Sequence, residues 1–576
     1  MYTLGINAAF HDSSACLVRD GRVIAAAEEE RFTRIKHAKR PVPFSTWELP
    51  WHAIDYCLAE ADLNLAQVDH VAYALDPTLL EGDTDGDSIR LPVEPSAQVA
   101  SDACGSPWDP LFRTYAINAP RQLAGGAPHH LARRFRGLRS EAPYRWHFVE
   151  HHAAHEASAY LAAPFERMAV MTLDGRGERA TTTFGVYREG RYRRLKQVDV
   201  PHSLGLLYEA VTAYLGFLHS SDEYKVMALA SYGEPRHVDA FRELVRLDGQ
   251  GGYRIGALGL EAGFGPARAR GDAIGQREFD IAASLQAVLE QTVLELAAWL
   301  RETTGERVLA LAGGVALNCV MNARLRDSGL FDALWVQPAA GDAGTALGAA
   351  LLVDFDTRGE RRWKMEHAYY GPGYADQEIE TLLRWSKLPW RFSEQLEVET
   401  AALLASNKIV GWFQGRMEFG PRALGARSIL ASPLDAAMQA RLNELKDRED
   451  FRPVAPVVLQ DRLGDWFEPA HADAAVAPFM TFVHRVRKDR AQRIPAVTHV
   501  DGTARVQTVT LAQNPRYYET IRRFGERTGV PVLVNTSFNS RGDPIVCTPR
   551  DALESFWSTP LDALVIGRYI LEKPGD

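Results

Sequence analysis

The chain has few cysteines. Its 576 residues include five, Cys16, Cys57, Cys104, Cys319 and Cys547. The number is odd, they are scattered, and none forms a CxxC pair. That argues against a disulfide framework or a structural zinc knuckle and points to a reducing cytoplasm. No uninterrupted apolar run reaches the ~20 residues that cross a bilayer, so no membrane partner is expected. The opening MYTLGINAAFHDSSACLV has no basic segment ahead of an apolar core and does not read as a signal peptide. Positive charge is not in excess either: 65 Lys and Arg face 74 Asp and Glu, a net charge of −9. Coating nucleic acid needs a basic face, so nucleic acid is not an expected partner, although a small anion pocket remains open. What is left, with 46% apolar and 24% charged residues, is an ordinary globular chain. At roughly 100–200 residues per domain it has length for two to four domains.

The N-terminal stretch YTLGINAAFHDSSACLVRDGRVIAAAEEE reads as strand, polar loop, strand, Asp20-Gly21 turn, strand. The pattern returns at 169–199, where Glu189-Gly190 forms the turn. A duplicated strand–loop–strand unit is how actin-like ATPase folds are built, with the two loops facing each other. Residues 77–146 have weak periodicity and many Pro, Gly and Asp, and read as an insertion that carries specificity. Residues 279–303 form an amphipathic helix. A boundary is expected near 360. Beyond it KIVGWFQG, GVPVLVNTSFN and DALVIGRYIL mark strands of a second α/β unit.

Three histidines crowd EHHAAHEASAY. His151 and His155 are four apart, so a helix places them on one face, as a two-histidine metal clamp requires. An exposed polar helix start is the other reading. His152 points elsewhere and reads as a residue that supports the ligands or as structural. Further ligands would come from Asp174 in TLDGRGE and Asp342 in AAGDAGTALG, both in Gly-flanked loops. Two His with Asp suit iron, manganese or zinc better than magnesium.

LAGGVALN, with Gly313, Gly314 and Asn318, sits between a strand and a helix, where backbone amides can cradle a nucleotide. The second unit is rich in arginine. Arg416, Arg422 and Arg427 lie in GRMEFGPRALGARSIL, and Lys446 and Arg452 in ELKDREDFRPVAP. Arg441 and Arg448 fit a solvated helix face. A guanidinium set among Gly, Pro, Ala and Leu needs an anion, and phosphate is its usual one. Arg505, and Asn535, Ser537 and Asn539 in VNTSFNSRGDPIV, add donors for a nucleotide or a carbamoyl group.

HDSSACLV, AAAEEERFTRIKH, EHHAAHEASAY, LDGRGE, KVMALASYG, LAGGVALN, FGPRALGARSIL, KDREDFRPVAP and NTSFNSRGDPIV, in this order, resemble the O-carbamoyltransferases of the NodU and CmcH type. The resemblance covers nearly the whole chain except 77–146. It implies a mixed α/β fold: an actin-like, duplicated ribonuclease-H-like carbamoyl-transfer domain over 1–360, then a YrdC-like domain over 361–576. It implies that carbamoyl phosphate and ATP with Mg2+ give carbamoyl-adenylate in the second domain. The carbamoyl group then passes to a hydroxyl of a small specialised metabolite in the first. By the same resemblance, His151, His155, Asp174 and Asp342 hold a divalent transition metal such as Fe2+. His11 receives the acceptor's proton, and Arg422, Lys446 and Arg452 act in adenylate formation. Gly313, Gly314, Asn318, Arg416, Arg427, Arg505, Asn535, Ser537 and Asn539 bind nucleotide or carbamoyl groups, and Lys225 closes over the nucleotide.

One departure concerns the acceptor. The aminoglycoside-modifying branch is expected to carry an acid two positions before His11; here that residue is Ala9. Asp83, Asp85 and Asp87 of the insertion are the alternative source of negative charge. Competing readings are a tRNA threonylcarbamoyl-type transferase, an actin-like small-molecule kinase and a nucleotide-switched binding protein. The sequence sets no oligomeric state.

Overall fold

The computed structural model describes residues 1–38, 48–80, 109–126, 142–469, 477–540 and 542–573. Asp83, Asp85 and Asp87, with most of the 77–146 segment, lie outside the described residues, as does Cys104. The chain divides into two units. Unit 1 comprises Met1–Val226, Gly233–Leu317 and Ala333–Met365; unit 2 comprises Met227–Tyr232, Asn318–Asp332 and Glu366–Asp576.

Unit 1 is built twice on one plan. In its first half, β1 (Tyr2–Asn7), β2 (Ser14–Arg19), β3 (Arg22–Glu28), β4 (His70–Tyr73) and β5 (Arg145–Phe148) form a sheet in the order β3-β2-β1-β4-β5. In its second half, β6 (Met168–Leu173), β7 (Ala180–Arg188) and β8 (Arg191–Asp199) form one side of a sheet. A small hairpin of β9 (Val245–Leu247) and β10 (Tyr253–Ile255) follows, and β11 (Val308–Ala312) and β12 (Ala333–Val336) complete the order β12-β11-β6-β7-β8. Each sheet has two antiparallel pairs followed by two parallel ones. This is the duplicated ribonuclease-H-like topology of actin-like folds.

Local chemistry sets the repeat. The β2–β3 hairpin turns through Asp20 and Gly21, with φ of 49° and 79°, and the β7–β8 hairpin through Glu189 and Gly190, with φ of 54° and 68°. Positive φ at both central residues matches the twist of the flanking strands, which is why acid-Gly pairs stand there. A helix follows the last strand of each half: His151–Tyr160 after β5 and Ala343–Arg358 after β12. The two helices pack closely because their contact is made by small residues. A Cβ on Gly348 would run into the Ala154 carbonyl, and one on Gly5 of β1 into the Ala346 carbonyl. The helix Gln276–Thr304 has the length and composition of a membrane span, yet 67% of that apolar stretch is buried in the protein.

Unit 2 holds an eight-stranded mixed sheet. Its order is Arg391–Phe392, Tyr569–Glu572, Ala563–Ile566, Val410–Phe413, Arg427–Ala431, Val532–Ser537, Ala455–Leu459, Gln507–Val509. Side chains alternate across it with the period of a strand. Val410 and Trp412 join Tyr517 and Phe524 on one face, while Phe413 joins Phe538 and Phe556 on the other. The four described cysteines are free and buried.

Candidate metal centre and arginine-rich loop

The pseudo-symmetry of unit 1 places the centre. The loop after β1 carries His11, and the matching loop after β6 carries Asp174. The helix after β5 carries His151 and His155, and Asp342 stands immediately before the matching helix after β12. Open sheets bind ligands beyond the carboxyl ends of their strands, and all of these side chains lie there.

The structure brings His151, His155, Asp174 and Asp342 together, with one donor atom from each within 4.8 Å of every other. All four are buried. His151 Nε2 lies 3.5 Å from Asp342 Oδ1 and 3.8 Å from Asp174 Oδ2; His155 Nε2 lies 3.7 Å from Asp342 Oδ1 and 3.9 Å from Asp174 Oδ1. These gaps are long for hydrogen bonds. They are close to the ~3–3.5 Å edges between ligands of one metal at about 2.1 Å. His151 Nε2, both ring nitrogens of His155 and Asp342 Oδ1 are buried without a hydrogen-bond partner among the described residues. Buried polar atoms left so are costly, and a cation between them removes the cost.

The electrostatics agree. Burial works against ionisation of both carboxylates. The His151 and His155 rings outweigh it at Asp174, whose carboxyl lies well below the usual range. At Asp342 His11 and His151 do the same, holding it down to about 2. Burial also opposes a charged His151, yet the Asp342 and Asp174 carboxylates raise its pKa well above the ordinary value. The site therefore demands positive charge.

Its supports are visible. His151 Nδ1 lies 3.2 Å from Ala74 O. A proton on Nδ1 leaves Nε2 as the ligand nitrogen. Gly314 N–H donates to Asp174 Oδ1 at 2.7 Å, so this turn positions a carboxylate of the centre. Gly313 has φ of 91°, and its N–H donates to Ala340 O at 2.8 Å. His152 Nδ1 lies 2.9 Å from Thr172 Oγ1, and its Nε2 is buried without a hydrogen-bond partner among the described residues. His11 Nε2 lies 3.7 Å from Asp342 Oδ2. Lys225 pairs with Asp222 at 3.1 Å.

Sequence reasoning missed Glu178. It accepts from the His151 N–H at 3.0 Å and the Asp76 N–H at 2.7 Å, and so caps the histidine helix. Burial pushes its carboxyl up to about 7. The acid in LDGRGE was its only signal.

In unit 2 the expected ligands part company. Arg427 is fully buried, and its guanidinium donates to the carbonyls of Gln414, Gly415, Ala426, Pro372 and Cys547 while lying 3.6 Å over the Phe413 ring. The expectation of a phosphate partner is corrected: five backbone oxygens solvate it. Arg416 donates to Tyr370 O at 2.7 Å and Gly371 O at 3.2 Å. Asn318 caps the helix Cys319–Asp327, its Oδ1 accepting from the Met321 N–H at 3.0 Å. Lys446 does join two expected partners, donating to Ser537 Oγ at 2.9 Å and Asn539 Oδ1 at 2.7 Å. Asn535 is buried and donates to Ala423 O and Gln507 Oε1, and its Oδ1 has no partner among the described residues. Arg422 and Arg452 are half-buried, with Glu449 3.6 Å from Arg452. Arg505 closes the short strand Thr503–Arg505, its Nε buried without a partner among the described residues. Glu418, also missed, shapes the loop: its Oε1 accepts from the Leu424, Ala426 and Arg427 N–H groups.

A duplicated actin-like unit with a buried histidine–carboxylate cluster, and a second α/β unit, define the fold class. Family comparison makes it specific. The model described as Carbamoyltransferase N-terminus matches residues 2–83 and 137–351, and Carbamoyltransferase C-terminus matches 401–573. The chain belongs to the carbamoyltransferase family. It is 40% identical to an uncharacterised Synechocystis sp. protein over 99% of this chain and 97% of that one. It is 39% identical to nodulation protein NolNO of Sinorhizobium fredii over 98% and 80%. It is 41% identical to nodulation protein NolO of Bradyrhizobium diazoefficiens over 74% and 79%.

Proposed function

We propose that the protein is an ATP-dependent O-carbamoyltransferase in which a YrdC-like unit 2 makes carbamoyl-adenylate and unit 1 delivers the carbamoyl group to a hydroxyl of a small specialised metabolite, in the cytoplasm. In unit 2, water cleaves carbamoyl phosphate to carbamate and phosphate. A carbamate oxygen attacks the α-phosphorus of Mg2+-bound ATP, and pyrophosphate leaves. Arg422, Arg452 and Lys446 counter the charge of the phosphates and carbamate. Arg427 holds their loop.

In unit 1, the acceptor oxygen attacks the carbamoyl carbon, the bond from that carbon to the phosphate oxygen breaks, and AMP leaves with the electron pair. His11 takes the acceptor's proton on Nε2. His151, His155, Asp174 and Asp342 would hold a divalent transition metal, and two imidazoles with two carboxylates favour iron, manganese or zinc over magnesium. When bound, that ion supplies Lewis acidity. Gly314 and Glu178 keep Asp174 and the histidine helix in place.

One observation carries the reading: four buried ligand side chains meet beyond the strand ends of a duplicated fold. The test is His155→Ala. The variant is expected to lose bound metal and carbamoyl transfer while still releasing pyrophosphate from ATP in the presence of carbamoyl phosphate. A variant with native transfer and no metal would refute the centre's role.

A further inference from the structure

Three segments of unit 1 meet beside the metal centre, and each is bent in an unusual way. Asp12, His37 and Ser220 have φ of 52°, 58° and 52°. Non-glycine residues held at positive φ cluster where function requires the geometry. Asp12 lies between two imidazoles. Its Oδ2 is 3.0 Å from His11 Nδ1, and its Oδ1 is 2.8 Å from His37 Nδ1. On the far side of His37, Nε2 lies 3.0 Å from Ser221 Oγ. The backbone repeats the tie: Asp12 N–H donates to His37 O at 3.3 Å, and His37 N–H donates to Glu30 Oε2 at 2.6 Å. Asn7 Nδ2 pins the same loop by donating to His11 O at 3.0 Å and Asp12 O at 3.1 Å.

We infer that Asp12, His37 and Ser221 form a positioning relay that fixes His11 with its proton on Nδ1 and its basic Nε2 turned to the reaction centre. The reason is tautomer control. A carboxylate facing Nδ1 keeps the proton there, so Nε2 becomes the nitrogen that accepts one. Here the carboxylate is itself anchored. His37 gives Asp12 a second donor, and Ser221 fixes which way the His37 ring faces. Burial opposes charge on Asp12, but His37 first and then His11 outweigh it and hold its carboxyl well below the usual range. His37 and Ser221 act through Asp12 and touch no reacting atom. The inference rests on the adenylation and base reading given above.

The test uses the whole protein with ATP, Mg2+ and carbamoyl phosphate, and water as the acceptor hydroxyl. AMP release is measured against pyrophosphate released in the same tube. His37→Leu keeps apolar bulk and removes the donor to Asp12; His37→Asn keeps a donor. The expected result is a fall in the AMP-to-pyrophosphate ratio of about 10–100-fold in His37→Leu, in the range seen for lost supporting hydrogen bonds. His37→Asn should recover most of it, and Ser221→Ala should fall between. Bound metal should be equal in all four proteins, which separates the relay from collapse of the centre. Equal ratios in His37→Leu and His37→Asn would overturn the relay, because a packing role does not distinguish a donor from bulk. Native protein that releases no pyrophosphate would overturn the adenylation reading and the relay with it. Pyrophosphate release with a ratio indifferent to His37 overturns the relay alone.

Discussion

The candidate metal centre of unit 1 and Arg427 in the arginine-rich loop of unit 2 are both polar and both buried, yet their groups are met in different ways. In the centre, two imidazoles and two carboxylates face one another at 3.5–3.9 Å, with ring nitrogens and a carboxylate oxygen left without a hydrogen bond among the described residues. In the loop, Arg427 donates to five backbone carbonyls. The first arrangement leaves donors that a cation would meet; in the second the guanidinium is met by the protein's own carbonyls, although Glu418 Oε2 of the same loop is buried without a hydrogen-bond partner among the described residues. Burial and charge alone therefore do not mark a ligand site. The number of unmet donors and acceptors does.

That contrast breaks or sharpens under mutation. The largest expected effect is at the centre. Asp342→Ala, like His155→Ala, should lower transfer on the order of 10²–10³-fold or more and release the metal, read by elemental analysis and AMP formation. Next is Arg427→Ala, which takes a donor from five carbonyls, of which those of Ala426 and Pro372 keep the Gln414 and Met417 N–H groups. It should cost roughly 3 kcal/mol of stability in denaturant titration, and Arg427→Lys should not restore it because one ammonium cannot span a planar fork. Native stability with weakened ATP binding in that variant would reverse the comparison and make Arg427 a ligand residue. Arg452→Ala should be milder, raising the KM for ATP or carbamoyl phosphate about 10-fold, on the order of one charge-assisted contact, with stability close to native.

The smallest effect is a slope. His484 is buried in unit 2, and burial, with Arg326 Nη1 3.1 Å away, lowers its pKa to about 3 from the ordinary 6.5. Between those values the unfolded chain binds a proton that the folded one refuses. Stability is then full above pH 6.5 and falls as pH drops towards 3. Denaturation midpoints measured across that window should show the slope, and His484→Gln should flatten it.

The parts legible in the sequence are those set by local pattern. Acid-Gly turns and strand alternation gave the duplicated hairpins, and the four-residue spacing gave the shared face of His151 and His155. Asp174 and Asp342 were singled out as acids in Gly-rich post-strand loops, and the fold brings both to the two histidines. Arg427 was misread for a physical reason: an arginine among apolar residues needs acceptors, and backbone carbonyls brought from residues 372, 414 and 547 are invisible in a linear reading. Glu178, Glu418 and the pairing of Asp12 with His37 were missed for the same reason, since each acts through partners distant in sequence.

The most direct measurement is pyrophosphate release from the purified protein given ATP and Mg2+, with and without carbamoyl phosphate. The account predicts a burst of pyrophosphate that requires carbamoyl phosphate and needs no acceptor. ADP in its place, or no pyrophosphate at all, would contradict carbamoyl-adenylate formation.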